Sequence, residues 1–388
     1  MTLYTLGRGS AIFRVPDRPV PGGRIRRIVI GLCSIAGTAC ATAAGTGSAP
    51  GSAAPGGTTP PSHTYVQPEP GERHLRNLRQ LTFSGNNAES YFSKSGTQLI
   101  FQRQETVDSA CDQEYIMNVD GSGMRRISNG LGRTTCGYFY ANDTRVLYSS
   151  TFKSSPECPP VPDRSHGYVW PLSQLEIYTS KLDGSDLRQL TSDGSYNAEA
   201  TLSPDGRRII FTSTRDGDLE LYTMNVDGSD VRRITHRVGY DGGAFFSHDG
   251  KMIVWRAGYP VSAADSADYL GLLKQRLVRP AHVELWVANA DGSNPRQITN
   301  LGGANFAPYF LPDDKRIIFS SNYREPRSGK FDLYLINVDG TGLEQVTTHP
   351  AFDGFPMFSP DGRKLVWASN RHGHVTGETD LFIADWVE

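Results

Sequence analysis

The chain of 388 residues carries 39 Lys and Arg against 41 Asp and Glu, with 41 Gly, 24 Pro and five Cys. That balance excludes a disordered chain and a disulfide-stapled miniprotein, and no apolar run of about 20 residues exists to support a multi-spanning membrane protein. Residues 1–44 hold six Arg and one Asp, so the remainder has 33 basic and 40 acidic groups, about −7, and nucleic acid is not an expected partner.

At the N-terminus, Arg24, Arg26 and Arg27 precede the apolar segment Ile28–Ala39, followed by small residues. This is the pattern of an export signal, too short to span a bilayer. The long polar stretch before it points to a start codon downstream of Met1. Gly37-Thr-Ala-Cys40 resembles a bacterial lipoprotein box, which makes Cys40 a lipidation candidate beside a plain cleaved signal. Residues 1–44 are therefore read as the signal and 45–75 as a flexible Gly/Ala/Pro/Ser/Thr linker.

The chain is then self-similar. Six turns recur: Ser93–Gly96, Ala141–Asp143, Ser203–Gly206, Ser247–Gly250, Leu311–Asp314 and Ser359–Gly362, each leading into a β-branched, aromatic run such as Ile209-Ile-Phe211. Five units add a second hairpin on Asn118-Val-Asp-Gly and its equivalents at Lys181, Asn225, Asn289 and Asn337, where Asp-Gly takes the positive φ of a tight turn. Each unit thus has four strands, and the last lacks its fourth. Leu78-Arg-Gln-Leu-Thr82 repeats Leu187–Thr191 letter for letter, so an N-terminal strand is expected to complete the last unit and close a ring without exposed edges. The prediction is an all-β, six-bladed β-propeller over residues 76–388.

Ser203-Pro-Asp-Gly through Arg215-Asp-Gly217, followed by Leu221-Tyr-Thr-Met-Asn-Val-Asp-Gly228, resembles the repeat of the TolB-like propellers. The resemblance covers about 310 residues, without the α/β domain that precedes the propeller in TolB. It implies an envelope location and a binding surface.

In such a ring the first strand of each blade starts at the channel mouth on the face that also carries the loops between second and third strands. Counting back eight residues from the turn Asp gives Asn87, Thr134, Asn197, Asp241, Asn305 and Asp353; counting back six gives Glu89, Cys136, Glu199, Gly243, Ala307 and Phe355. Two readings follow: Asn and Asp cap the entering loop, or Glu89, Glu199, Asp241 and Asp353 converge on something positive. The turn spacings of 47, 63, 44, 64 and 48 residues place insertions in blades two and four, at 151–174 and 257–281. The first holds Cys158, His166, Tyr168 and Trp170. The second is expected to be helical, with Ser262 and Asp265 as a capping box and Tyr269, Leu270, Leu273 and Leu277 as its apolar stripe. The cations Arg103, Arg215, Arg256, Arg324 and Arg371 belong to loops of this face and are expected to pair mostly with the ring carboxylates.

No nucleophile elbow, zincin helix, phosphate loop or dinucleotide fingerprint is present, and the ring positions contain no His, so no catalytic residue, metal or cofactor is assigned. Cys111, Cys136 and Cys158 allow one disulfide in an oxidising compartment, with three pairings. The sequence reading is an exported, monomeric propeller that binds an envelope protein or cell-wall component through its channel-mouth face, touching the membrane only through an N-terminal lipid. The alternative is a propeller enzyme acting on a saccharide, with carboxylates or a metal at the channel mouth.

Overall fold

The Ser-Pro-Asp-Gly segments turn the chain for local reasons. At Ser203, the Gly206 amide donates to the Ser203 carbonyl at 2.8 Å and the Arg208 amide to the Ser203 hydroxyl at 2.9 Å. The Asp-Gly turns are tighter against their neighbours: Gly228 has φ +88, and a Cβ there would lie 2.7 Å from the Leu190 carbonyl oxygen. Only glycine fits such a position.

The computed structural model describes residues 63–107, 111–160, 167–326 and 328–388. Within them the hairpins assemble into six antiparallel sheets arranged as the blades of a propeller, ordered from the axis outward along the chain. Blade 1 runs Asn86–Phe92, Gln98–Gln104, Gln113–Asn118 and Arg125–Arg126; blade 2 runs Thr134–Tyr140, Arg145–Ser150, Glu176–Lys181 and Arg188–Gln189. In blade 6 the fourth position is taken by Leu75–Gln80, which pairs antiparallel with Asp380–Trp386. The ring is closed by that strand, whose Leu75 and Leu78 are fully buried.

One expectation is corrected here. The linker reading over 45–75 fails from residue 63 onward, because Thr64–Tyr65 pairs with Arg79–Gln80 as a fifth strand of blade 6, and Glu72 and His74 are buried. The signal, Cys40 and residues 1–62 lie outside the described residues.

Two devices hold neighbouring strands and blades together. Two residues past each fourth strand stands a Ser or Thr, and Ser128, Thr191, Thr235, Thr299, Thr347 and Thr82 each accept a backbone amide from the adjoining third strand, at 2.8–3.1 Å. Five of the third strands begin with an acid, and three of these carboxylates bind the next blade: Asn197 donates to Glu176 at 3.1 Å, Asn305 to Glu284 at 3.0 Å and Asn87 to Asp380 at 3.4 Å. Such buried polar groups stabilise only when satisfied, which fixes the relative position of the blades.

Candidate functional site

Every first strand bends at the same place. The register slips between Ala88 and Tyr91 in blade 1, and equivalently in the other five blades, because one extra residue is bulged out. The bulged residues are Glu89, Cys136, Glu199, Gly243, Ala307 and Phe355, all at φ between +50 and +63. Only one is glycine, so five of six blades hold a side chain in a left-handed conformation that costs on the order of 1 kcal/mol each. The bulge turns these six residues onto the axis, where they line one common cavity.

The residues at the two neighbouring offsets behave differently. Asn87, Asn197, Asp241, Asn305 and Asp353 are 0% exposed and committed to their surroundings. Asn87 donates to the Thr379 carbonyl of blade 6 at 2.7 Å and accepts from Arg103 at 2.7 Å. Asp353 accepts from Trp367 at 3.0 Å and from Arg371 at 2.9 Å, and Arg371 also binds Glu72 at 3.0 Å. Asp241 accepts from the Trp255 indole and the Tyr259 hydroxyl, both at 2.6 Å, and burial pushes its pKa up to about 8. The expected polar ring therefore separates into an entrance tier that locks strands and blades, and an axial tier of bulged residues. Four residues beyond the first offset, Tyr91, Tyr138, Phe245 and Tyr309 pack ring against ring at centroid distances of 5.3–6.3 Å and block the channel, separating the axial tier from a cavity of about 450 Å³ that Tyr138, Phe245 and Tyr309 also line.

Glu199 is the anchor of the axial tier. It accepts from the Gly243 amide at 2.9 Å and from Thr212 at 2.8 Å, and forms a short ion pair with the buried Arg256. Arg256 also donates to the Tyr240 hydroxyl at 2.8 Å. Glu89 faces this pair with no ion-pair partner among the described residues, and burial, then the negative charge of Glu199, pushes its pKa up to about 7. Cys136, a free thiol between them, is raised by burial and by both glutamates. The cavity holds about 30 Å³, room for a water molecule or two.

Above the axis lies a structure the sequence reading did not foresee, since it treated the insertions as separate overhangs. Trp170–Pro171 from blade 2 pairs with Leu277–Val278 from blade 4. The helix Ala263–Lys274 begins with both hydrogen bonds of the expected Ser262/Asp265 capping box. It packs Tyr269 and Leu273 onto a cluster of Leu172, Leu219, Tyr240, Val278 and Val283. The expected apolar stripe is corrected: Leu272 is buried in it, Leu270 is exposed, and Leu277 belongs to the strand. Trp170 stands edge-on to Tyr240 and lies 5.5 Å from the Arg256 guanidinium, so the joined insertions sit directly over the Glu199 ion pair.

The remaining candidates are dispersed. Arg215 pairs with Asp193 at 2.9 Å and also binds Asn197, Arg371 is 1% exposed within its ion pairs, and Arg324 is exposed beside Tyr323. His166 lies outside the described residues. Cys111 is bonded to Cys158, which ties the blade 2 insertion to the second-to-third-strand loop of blade 1. Among the described residues no group of three His, Cys, Asp or Glu side chains is placed to hold a metal ion.

The model of the TolB beta propeller domain matches residues 171–263 and 277–376. The chain belongs to the TolB-like β-propeller family. Comparison with curated proteins finds no match. Among solved structures this TolB-like propeller is similar to a gluconolactonase of Xanthomonas campestris, at 14% identity and TM-score 0.52, covering 85% of this chain and 95% of that one. It is similar to TolB of Acinetobacter baumannii, at 17% identity and TM-score 0.51, over 78% of this chain and 64% of that one, less than two thirds of its length. An oligogalacturonate lyase in complex with manganese gives 15% identity and TM-score 0.50, over 85% and 97%. At these identities the likeness is one of fold, which the TolB-like propeller shares with binding proteins and enzymes alike.

Proposed function

We propose that this TolB-like propeller is an exported binding protein of the cell envelope that docks an envelope protein or cell-wall component on its capped channel face. The observation that carries the reading is the small volume left on the axis beneath the cap. A cavity of about 30 Å³ admits water, whereas sites for small molecules span roughly 300–1,000 Å³. Recognition then falls to the surface above it. There Phe83, Leu131, Tyr168 and Val261 are exposed on loops around the cap, Val261 by 90%, Leu270 is exposed on its helix, and Arg324 lies on the same face. Glu89, Glu199, Trp170 and Arg256 support this surface from beneath. Export is favoured by the N-terminal signal pattern and by the Cys111–Cys158 disulfide, which suits an oxidising compartment.

The test is crosslinking and pull-down from the native envelope with wild type and a Tyr168→Asp/Val261→Asp/Leu270→Asp variant, whose exposed positions leave the core intact. A defined component captured by wild type and lost with the variant supports the reading. Identical captures would remove the capped face as the contact surface.

A saccharide-directed enzyme has one observation in its favour: Glu89 titrates near neutrality beside a second carboxylate that Arg256 neutralises, an acid–base asymmetry of the kind glycoside chemistry uses. Turnover of neutral or acidic oligosaccharides by wild type, lost in Glu89→Gln, would establish it. No turnover across that panel would dismiss it.

A further inference from the structure

The third strand of each blade carries an aromatic residue at its third position, and in three of the four blades where that residue is tyrosine its hydroxyl meets an acid. Tyr115 donates to Glu105 at 2.6 Å in blade 1, Tyr222 to Asp216 at 2.6 Å in blade 3, and Tyr334 to Asp332 at 3.3 Å in blade 5. Blades 4 and 6 have Trp286 and Phe382 there, which bring no hydroxyl. Blade 2 breaks the pattern. Tyr178 is 0% exposed, and its hydroxyl has no hydrogen-bond partner among the described residues. In blades 1 and 3 the acid comes from the loop after the second strand; in blade 2 that loop begins the insertion and supplies Lys153 instead, whose ammonium lies 5.7 Å from the Tyr178 ring centroid.

Tyr178 and Lys153 line a cavity of about 310 Å³ at the outer edge of the capped face, with Gln174, Gln189, Ser154 and Ser192 around them. A buried phenol with nothing to bond is destabilising unless something fills the position. We propose that this cavity is a binding site for a small organic carboxylate, whose oxygens take the place beside Tyr178 that Glu105 and Asp216 take in blades 1 and 3. The Lys153 ammonium supplies the countercharge, and the two glutamine amides and the serine hydroxyls offer further hydrogen bonds.

Two acids also line the cavity, and both are already engaged. Glu176 accepts from Thr191 at 2.5 Å, from the Gly194 amide at 2.8 Å and from Asn197 at 3.1 Å. Asp193 is paired with Arg215 at 2.9 Å. Neither is paired with Lys153, which among the described residues donates to the neutral Gln189 side chain at 2.5 Å.

The experiment is calorimetric and ligand-observed NMR titration of the full chain with gluconate and acetate as carboxylate probes and glucose as the uncharged control. Tyr178→Phe removes only the orphan hydroxyl and is expected to fold, since Phe382 occupies the matching place in blade 6. Binding of either carboxylate to wild type, weakened about tenfold or more in Tyr178→Phe and in Lys153→Gln but unchanged in Tyr222→Phe, supports the site. The proposal is overturned if neither carboxylate binds at tens of millimolar, if Tyr178→Phe binds as wild type does, or if glucose binds as well as gluconate.

Discussion

Replacing Glu89 by Gln keeps the shape of the axial residue and removes its charge. In the folded chain Glu89 has a pKa of about 7 against an ordinary 4.5, because burial and the Glu199 charge disfavour its ionised form. Between those values the folded state holds a proton that the unfolded state has released. Stability therefore falls as pH rises, by about 1.4 kcal/mol per unit. The stabilising contribution is complete below pH 4.5 and lost as pH passes through 7, a difference of about 3 kcal/mol over the window. The side chain is partly open to the axial cavity, so solvent screening leaves about 1–3 kcal/mol. Urea denaturation of wild type and Glu89→Gln at pH 5, 6, 7 and 8 reads this directly. The two are expected to be nearly equal at pH 5, and the variant the more stable at pH 8, by about 1–3 kcal/mol in the unfolding free energy extrapolated to zero urea. Parallel stability profiles from pH 5 to 8 would refute the assignment of a near-neutral Glu89.

Two further outcomes follow from the closure of the ring and its staple. Arg371→Met leaves Glu72 and Asp353 facing each other without a cation, all three groups being 2% exposed or less, and should cost about 3–5 kcal/mol by chemical denaturation; a loss under 1 kcal/mol would show the pairs to be dispensable. Cys111→Ser opens a crosslink between residues 47 apart in sequence and should lower stability by about 2–4 kcal/mol, while peptide mapping of wild type should find Cys111 linked to Cys158 and Cys136 free; a Cys136 linkage would contradict it.

The repeat made the architecture legible from local chemistry. Asp-Gly and Ser-Pro-Asp-Gly turns dictate hairpins wherever they stand, and Leu78–Thr82 carries the same pattern as Leu187–Thr191, so the closing strand could be placed although its partner lies some 300 residues away. The helix start at Ser262 was equally readable, since a capping box is a contact within four residues. The site was only half legible. Counting offsets found the axial Glu89 and Glu199, but nothing in their neighbours announced the bulge that turns them inward, because a left-handed residue in mid-strand is imposed by closure around the axis and runs against local preference. The same counting grouped Asn87, Asp241 and Asp353 with them, and only packing of blade on blade buried those three. The pairing of Trp170 with Val278 joins segments more than 100 residues apart with no shared motif, the choice of Cys158 over Cys136 for Cys111 depends on which loops meet, and the orphan hydroxyl of Tyr178 exists only because the blade 2 insertion brings Lys153 where blades 1 and 3 bring an acid. Sequence fixes the elements because turns and strands are decided over a few residues; the tertiary structure decides which side chains are left facing one another, because that depends on the ring closing.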